Sequence, residues 1–207
     1  MKSLDFAGNA PESTLLHMAS AQLSHYYGLP YYGACTPDSK LPDAQMGYEA
    51  MQHFMGLAMA GCNIIHVSIG NLEMMKLASF EACLIANEIF SAAFRFLRGI
   101  DTSREAIGLD AFRECGHDSR FLETQHTLNF LRKEERWEPK LTDRNSWDAW
   151  MEKTGGKDMR ERAREEAKRV LDRHHPEYVT KQEADEINKI ADSAQKWLQN
   201  NWTEGVH

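Results

Sequence analysis

A run of polar side chains separates two apolar segments at residues 35–49, Cys-Thr-Pro-Asp-Ser-Lys-Leu-Pro-Asp-Ala-Gln-Met-Gly-Tyr-Glu. It contains the carboxylates of Asp38, Asp43 and Glu49, together with an ammonium group, an amide and a phenol. Such groups can hold a small ligand through charge and directed hydrogen bonds. The residue types therefore predict a binding site, provided that the fold brings further polar residues to the same place.

The apolar segments on either side predict the elements that position this stretch. Tyr31–Ala34 is predicted to be a short strand, and a helix is predicted from Pro42 to about Ala60, since proline suits the first turn of a helix. The run Cys-Asn-Ile-Ile-His-Val-Ser-Ile-Gly at 62–70 predicts a second, buried strand because it is apolar and rich in branched residues. Another helix is predicted at residues 11–27, before the first strand.

The rest of the chain is predicted to be mainly helical, with one more strand at 120–124. Helices are predicted at 76–98, 103–115 and 126–132. Past Trp137 the predicted helices are charged and carry narrow apolar stripes. They comprise a short helix with Asn145 or Asp143 as its N-cap, followed by helices at 156–173 and 180–199.

Strands and helices alternate in the pattern of parallel β/α units. Loops that follow the carboxyl ends of parallel strands lie at one edge of the sheet. Residues 35–49 follow the first strand, Asn71 and Glu73 follow the second, and Glu123 and His126 follow the third. We therefore expect three successive strands to bring polar side chains to a common rim. About three strands are too few for a closed eight-stranded barrel of ~250 residues.

Composition excludes several classes of protein. The chain has 207 residues, enough for one sizeable domain, and its formal charge of −7 argues against nucleic-acid binding. No run approaches the roughly 18 apolar residues of a membrane span, and the first residues contain no apolar signal core. A cytoplasmic protein without a membrane or nucleic-acid partner is expected. Four cysteines lack the spacing of metal ligands, so no metal site is predicted.

The segment Asp-Ser-Lys-Leu-Pro-Asp-Ala-Gln-Met-Gly-Tyr-Glu resembles the Asp-Ser-Lys-x-Pro-Asp-x-Gln-x-Gly-Tyr-Glu segment of the trimethylamine methyltransferase family. The likeness continues through Ala-Gly-Cys-Asn-Ile-Ile-His, Gly-Asn-Leu-Glu and Phe-Leu-Glu-Thr-Gln-His-Thr-Leu-Asn-Phe-Leu-Arg, and covers about residues 8–175. Members of this family are TIM barrels that demethylate methylamines or quaternary amines and pass the methyl group to a corrinoid protein. Full members are much longer, so this chain resembles their C-terminal portion.

The resemblance implies an α/β fold, namely a partial (β/α) TIM barrel. Residues 1–139 would form a C-terminal half-barrel, and residues 140–207 a helical C-terminal extension. The implied function is transfer of a methyl group from a methylamine or quaternary amine, such as trimethylamine or glycine betaine, to a corrinoid protein. The chain itself would bind no cofactor, because the cobalt corrinoid that carries the hard chemistry belongs to the partner protein.

A methylated cation is attracted by aromatic faces and carboxylates, and a carboxylate on the substrate would be attracted by Lys40 or His126. The residues predicted to bind the substrate are Tyr31, Asp38, Lys40, Gln45, Tyr48, Glu49, Asn71, Glu73 and His126. No residue is assigned a catalytic role. Because side chains alternate along a strand, only one of Tyr31 and Tyr32 can face the barrel interior.

Structural alternatives accompany these assignments. Asp43 can simply favour the helix start, Lys40 can be a solvated lysine, and His126 can be a neighbour of a helix N-cap. His66, in the middle of a strand, is expected to be a hydrogen-bonded interior histidine.

Two other functions are also open. The chain can be a non-catalytic half-barrel that forms a homo-oligomer or associates with a companion N-terminal half-barrel, since half a barrel exposes strand edges and apolar faces. It can also be a relative that folds but no longer catalyses.

Overall fold

The computed structural model of the chain describes residues 7–67, 69–118, 120–132 and 136–201. The elements in chain order are α1 (Pro11–Tyr26), β1 (Tyr32–Cys35), α2 (Ala44–Met59), β2 (Ile64–Val67), β3 (Asn71–Leu72), β4 (Leu77–Ala78), α3 (Phe80–Leu97), α4 (Arg104–Ile107), α5 (Leu109–Cys115), α6 (Gln125–Arg132), α7 (Trp147–Thr154), α8 (Met159–Arg173) and α9 (Lys181–Asn201). They belong to two compact units, of which the first ends at Lys168 and the second begins at Arg169. Ser68, inside the strand predicted at 62–70, lies outside the described residues.

Strands β1 and β2 pair in parallel, as the alternation of strands and helices predicts, with Tyr32 opposite Ile64 and Ala34 opposite His66. One face of the pair packs on α2: a Cβ atom at Gly33 would lie 2.9 Å from a methyl carbon of Leu57, so only glycine fits there without a shift. The opposite face is open, and its side chains are Tyr32, Ala34, Ile64 and His66, all exposed. Among the described residues this sheet has two strands.

The core of the first unit lies where α2 packs against α3. Phe54 and Phe90 meet with ring centroids 4.9 Å apart. The buried cluster around them consists of Met46, Ala50, Phe54, Leu72, Ala82, Ile85, Ala86, Phe90, Ala93, Leu141 and Ala163. Leu141 and Ala163 come from the predicted C-terminal extension, so this segment contributes to the same core.

The loop predicted after β2 contains a short antiparallel hairpin, β3–β4, in which Leu72 pairs with Leu77. Helix α3 therefore starts later than predicted. It begins after Ser79, whose hydroxyl oxygen accepts the N–H of Ala82.

The third strand, predicted at 120–124, is wrong. Phe121–Glu123 forms a single turn of 3₁₀-helix. The cause is Thr124, whose Oγ1 donates to the Phe121 carbonyl (2.8 Å) and accepts the N–H of Thr127 (3.2 Å). This side chain acts as the N-cap of α6 and turns the preceding residues out of an extended path.

The N-cap predicted for the helix at Trp147 is also wrong. Ser146 caps α7, with its Oγ 3.4 Å from the N–H of Ala149. Asp143 instead accepts the N–H of Asn145 (2.7 Å), which makes a turn before the helix.

In the second unit, α9 starts at a reciprocal capping box. Thr180 donates its N–H to Glu183 Oε2 (2.7 Å), and Glu183 donates its N–H to Thr180 Oγ1 (3.3 Å). Throughout the described part of the chain, no helix is both long and apolar enough to cross a membrane.

Replacing Asp43 with Ala should lower the free energy of unfolding by about 1 kcal/mol, the usual cost of losing an N-cap. The reason is that Asp43 Oδ1 accepts the N–H of Gln45 (3.0 Å) and of Met46 (3.3 Å) at the start of α2. Urea unfolding followed by circular dichroism measures the loss. Asp43→Asn is the control, since its side-chain oxygen can still cap the helix. Equal losses in both variants would show that the cap is not the cause.

Candidate functional site

The β1–α2 loop is held from within by Glu49, a residue predicted to bind substrate. The Glu49 carboxylate, whose residue is only 4% exposed, accepts the N–H groups of Asp38 (2.8 Å) and Ser39 (3.1 Å) through Oε2. Its other oxygen accepts Gln45 Nε2 (2.7 Å). Glu49 and Gln45 are therefore engaged in shaping the loop.

Asp38 ties this loop to the segment before α1. Its two carboxylate oxygens accept the N–H of Gly8 (3.2 Å) and of Asn9 (3.0 Å). A negative charge just before a helix N-terminus is favourable for the helix dipole. Asn9 also donates through Nδ2 to the Thr36 carbonyl. The predicted substrate role of Asp38 competes with this contact.

Lys40, Gln45 and Tyr48 are the exposed residues among those predicted in this stretch, and of these Gln45 is already engaged with Glu49. Lys40 Nζ donates to the Asp38 carbonyl (2.9 Å), which leaves donors of the ammonium group for a ligand. Tyr48 is 58% exposed on α2. These two side chains can meet a ligand without rearrangement of the loop.

The loop after β2 meets the loop after β1, as the parallel arrangement predicts. Glu73 donates its N–H to the Ser39 carbonyl (2.9 Å), and Met74 donates to the Pro37 carbonyl (3.2 Å). Glu73, Met74 and Met75 have φ angles of 46°, 52° and 70°, a conformation that costs side-chain-bearing residues energy. Backbone strain of this kind is concentrated at functional sites.

Asn71, another predicted residue, lies in β3 and is half-buried. It lies two residues before Glu73, the first residue of the strained turn. The structure therefore brings Asn71 and Glu73 to the edge of the sheet that the β1–α2 loop also occupies.

His126 has its contacts in a different part of the fold. Its Nε2 lies 2.7 Å from the Glu105 carbonyl, and its ring stacks on Phe130 with centroids 4.5 Å apart. Gly108 packs against the same ring. These contacts connect α6 with the turn around α4, whereas the prediction placed His126 after a strand that the structure does not contain.

Tyr31 and Tyr32 point to opposite sides of the sheet. The Tyr31 hydroxyl lies 2.7 Å from His17 Nδ1 on α1, so this tyrosine packs on the helices. Tyr32 is 57% exposed on the open face, where it stacks on His66 with centroids 6.0 Å apart. The alternation of the two tyrosines was visible in the sequence, but the side of each one depends on the close contact of Gly33 with α2.

His53 lies beneath the loop and was not identified from the sequence. It is 1% exposed, and its Nδ1 is 3.2 Å from Thr14 Oγ1. Burial is the main reason that the pKa of His53 falls to about 4, and the neighbouring His17 adds to the effect. His53 is therefore neutral near pH 7 and acts as a polar core residue that joins α1 to α2.

An apolar groove of about 630 Å³ lies on the helix side of β2, and sequence analysis did not anticipate it. Its floor includes Phe54, Ile65 and Phe90, and Asn63, Asn87 and Ser91 supply polar groups. The groove lies on the side of β2 away from the open face, and Ile69 of the loop after β2 is among its lining residues.

The fold and site define a parallel β/α unit with an open aromatic face. Its strand-end loops carry Lys40 and the turn Glu73–Met75, which together we call the mouth. A family model described as trimethylamine methyltransferase (MTTB) matches residues 1–196. The chain belongs to the trimethylamine methyltransferase family, which confirms the resemblance found in the sequence.

Individual relatives cover most of this chain. It is 33% identical over 191 residues to trimethylamine methyltransferase MttB of Methanosarcina barkeri, which covers 90% of this chain and 37% of the relative. It is 32% identical over 151 residues to glycine betaine methyltransferase of Desulfitobacterium hafniense (strain Y51), covering 72% of this chain and 31% of the relative. The matched part thus spans about a third of the length of these relatives.

Proposed function

We propose that this chain provides part of the substrate site of a methyltransferase that takes a methyl group from a methylated amine and transfers it to a corrinoid protein. The observation that carries the proposal is the junction of the two strand-end loops, through Glu73 N–H and the Ser39 carbonyl, next to the open face with Tyr32 and His66. Family membership supports the reaction class.

The proposed substrate is a cation with methyl groups on nitrogen. An aromatic face attracts such a cation, and the exposed ring of Tyr32 is the surface available for it. Glu73 adds a carboxylate in the strand-end loops, where its N–H bonds to the Ser39 carbonyl. If the substrate carries its own carboxylate, as glycine betaine does, Lys40 Nζ can pair with it. The names of the relatives include both trimethylamine and glycine betaine, which share the methylated nitrogen.

A cobalt(I) corrinoid on the partner protein would supply the nucleophile that accepts the methyl group. Breaking the C–N bond leaves the electron pair on nitrogen, so a quaternary cation becomes a neutral amine. Tyr32 and Glu73 should therefore bind the substrate more tightly than the product. The open face is exposed, so a methyl group held there is within reach of another protein.

We further propose that the parallel pair β1–β2 is part of a TIM barrel, with residues 1–139 as the half-barrel and residues 140–207 as its helical extension. The support is the parallel register of the two strands and the position of α2 between them in the chain. A barrel would place Tyr32 and His66 on its inner surface.

The substrate proposal is tested by calorimetric titration of the full chain with glycine betaine and with trimethylammonium. Tyr32→Ala should weaken binding of both ligands about tenfold, because each loses the same cation–π contact. Tyr26→Ala is the matched control, since Tyr26 is 81% exposed at the end of α1, away from the loops. Equal effects of the two substitutions, or no binding by the unmodified chain, would contradict the proposal.

A second candidate function is a non-catalytic half-barrel that associates with itself or with a companion chain. The two-stranded sheet, its exposed Ile64 and the apolar groove beside β2 favour this alternative. Light scattering gives the solution mass: a monomer that binds amine favours the first function, and an oligomer without amine binding favours the second. Methyl transfer to free cob(I)alamin tests whether the chain catalyses by itself.

A further inference from the structure

Two peptide groups of the β1–α2 loop connect Glu49 with the groups at the proposed mouth. The peptide between Pro37 and Asp38 donates its N–H to Glu49 Oε2, and its carbonyl accepts the N–H of Met74. The next peptide, between Asp38 and Ser39, also donates its N–H to Glu49, and its carbonyl accepts Lys40 Nζ. In each peptide, the N–H bonds to the buried Glu49 carboxylate and the carbonyl bonds to a group at the mouth, either Met74 N–H or Lys40 Nζ.

This geometry has an electrostatic consequence. A hydrogen bond from a peptide N–H to a carboxylate polarises the peptide and makes its carbonyl a stronger acceptor. The charge of Glu49 thereby strengthens the bond that holds the Lys40 ammonium group and the bond that holds the strained turn at Met74. Glu49 is buried, so water screens this effect little.

We propose that Glu49 is a positioning residue of the substrate site, acting through these two peptides on Lys40 and on the turn Glu73–Met75, and not a residue that touches the substrate. The inference rests on the proposed function for its meaning in binding, while the coupling of Glu49 to the turn stands on the hydrogen bonds alone. Gln45 assists by donating Nε2 to the second oxygen of Glu49.

The matched control is Glu88, a second buried carboxylate that also accepts backbone N–H groups. Glu88 Oε1 accepts the N–H of Lys140 (3.0 Å), Leu141 (2.9 Å) and Thr142 (2.8 Å), in a segment outside the proposed mouth. Glu88→Gln should destabilise the chain as Glu49→Gln does. If the role of Glu49 were purely structural, Glu49→Gln and Glu88→Gln would have the same effect on amide exchange of Met74 and on ligand binding.

The experiment measures amide hydrogen exchange of Glu73 and Met74 and the Kd for glycine betaine and tetramethylammonium, using the full chain. Glu49→Gln should speed exchange of the Met74 amide about tenfold, because loss of the Glu49 charge weakens the hydrogen bond from Met74 N–H to the Pro37 carbonyl. The same substitution should raise the Kd for glycine betaine about tenfold and the Kd for tetramethylammonium less, since only glycine betaine has a carboxylate that can pair with Lys40. Adding Lys40→Ala to Glu49→Gln should give little further loss. Glu88→Gln should leave exchange and both Kd values unchanged.

Gln45→Ala provides a milder variant, because Gln45 is exposed and its loss leaves Glu49 charged but less firmly held toward the two peptides. We expect about threefold faster Met74 exchange in it. Unchanged Met74 exchange in both Glu49→Gln and Gln45→Ala, or an equal change in Glu88→Gln, would overturn the proposal. If the unmodified chain binds neither ligand, the proposed function fails, and the exchange data still decide whether Glu49 controls the turn.

Discussion

Lowering the pH from 6.5 to 4 should remove about 3 kcal/mol from the free energy of unfolding through His53 alone. The pKa of His53 is about 4 in the folded chain, chiefly because the ring is buried, against an ordinary value of 6.5. Between these values the unfolded chain binds a proton that the folded chain does not. Stability is therefore complete above pH 6.5 and decreases as the pH falls toward 4.

The groups around His53 explain the direction of this shift. His17 contacts its ring at a centroid distance of 5.2 Å and opposes protonation, while the Ala34 backbone and Asp38 favour it to a smaller extent. Thr14 supplies a neutral hydroxyl at Nδ1. The favourable effects of the Asp38 charge and the Ala34 backbone are smaller than the cost of burying an imidazolium ion.

Urea unfolding at a series of pH values, with wild type compared with His53→Gln, measures the effect. Glutamine can keep a hydrogen bond to Thr14 but does not titrate, so its stability should fall by about 3 kcal/mol less over this interval. His25→Gln, at an exposed histidine of α1, is the control and should follow wild type. Parallel pH profiles for wild type and His53→Gln would show that the buried ring is not the sensor.

Replacing Glu88 with Gln should lower the free energy of unfolding by about 3 kcal/mol, because three consecutive N–H groups that bond to a charged carboxylate oxygen would bond to a neutral amide oxygen. Burial raises the pKa of Glu88, but the bonds from Thr142, Leu141 and Lys140 outweigh it, and the pKa lies below its ordinary value. The stabilisation is present above pH 4.5 and is lost as the pH falls below it.

Glu81→Gln is the control for Glu88 on the same helix. Glu81 pairs with Arg164 of α8 (2.8 Å), but the two side chains are 20% and 50% exposed, so this pair should contribute no more than about 1 kcal/mol. Chemical unfolding gives both values, and amide exchange of residues 140–142 shows whether the segment is released from α3. A Glu88 variant no less stable than the Glu81 variant would contradict the role assigned to the buried carboxylate.

Local patterns predicted most helices and both parallel strands, because proline, acidic residues and apolar periodicity act within a few residues of where they occur. The prediction of a strand at 120–124 failed because the hydroxyls of Thr124 and Thr127 both donate to the Phe121 carbonyl and hold it in a turn. Whether the third strand exists depends on a side-chain contact that periodicity does not record.

The residue types of the candidate site could be predicted from the sequence, but the directions in which their side chains point could not. The sequence indicates that Glu49 and Gln45 are polar residues at a strand-to-helix junction, but only the structure turns them toward the loop backbone. The choice of Tyr32 over Tyr31 for the open face likewise depends on the packing of Gly33 on Leu57, which joins residues far apart in the chain. The partial-barrel architecture remains a prediction.

Three consecutive side-chain-bearing residues, Glu73, Met74 and Met75, occupy a backbone region where glycine is at ease. A simple linker between β3 and β4 would be most stable with glycine or asparagine there. Selection for greater stability would therefore replace these residues first, and each such replacement would remove a carboxylate or a thioether from the mouth. Under the proposed function, thermal tolerance and ligand selectivity would compete within this one short segment of the chain.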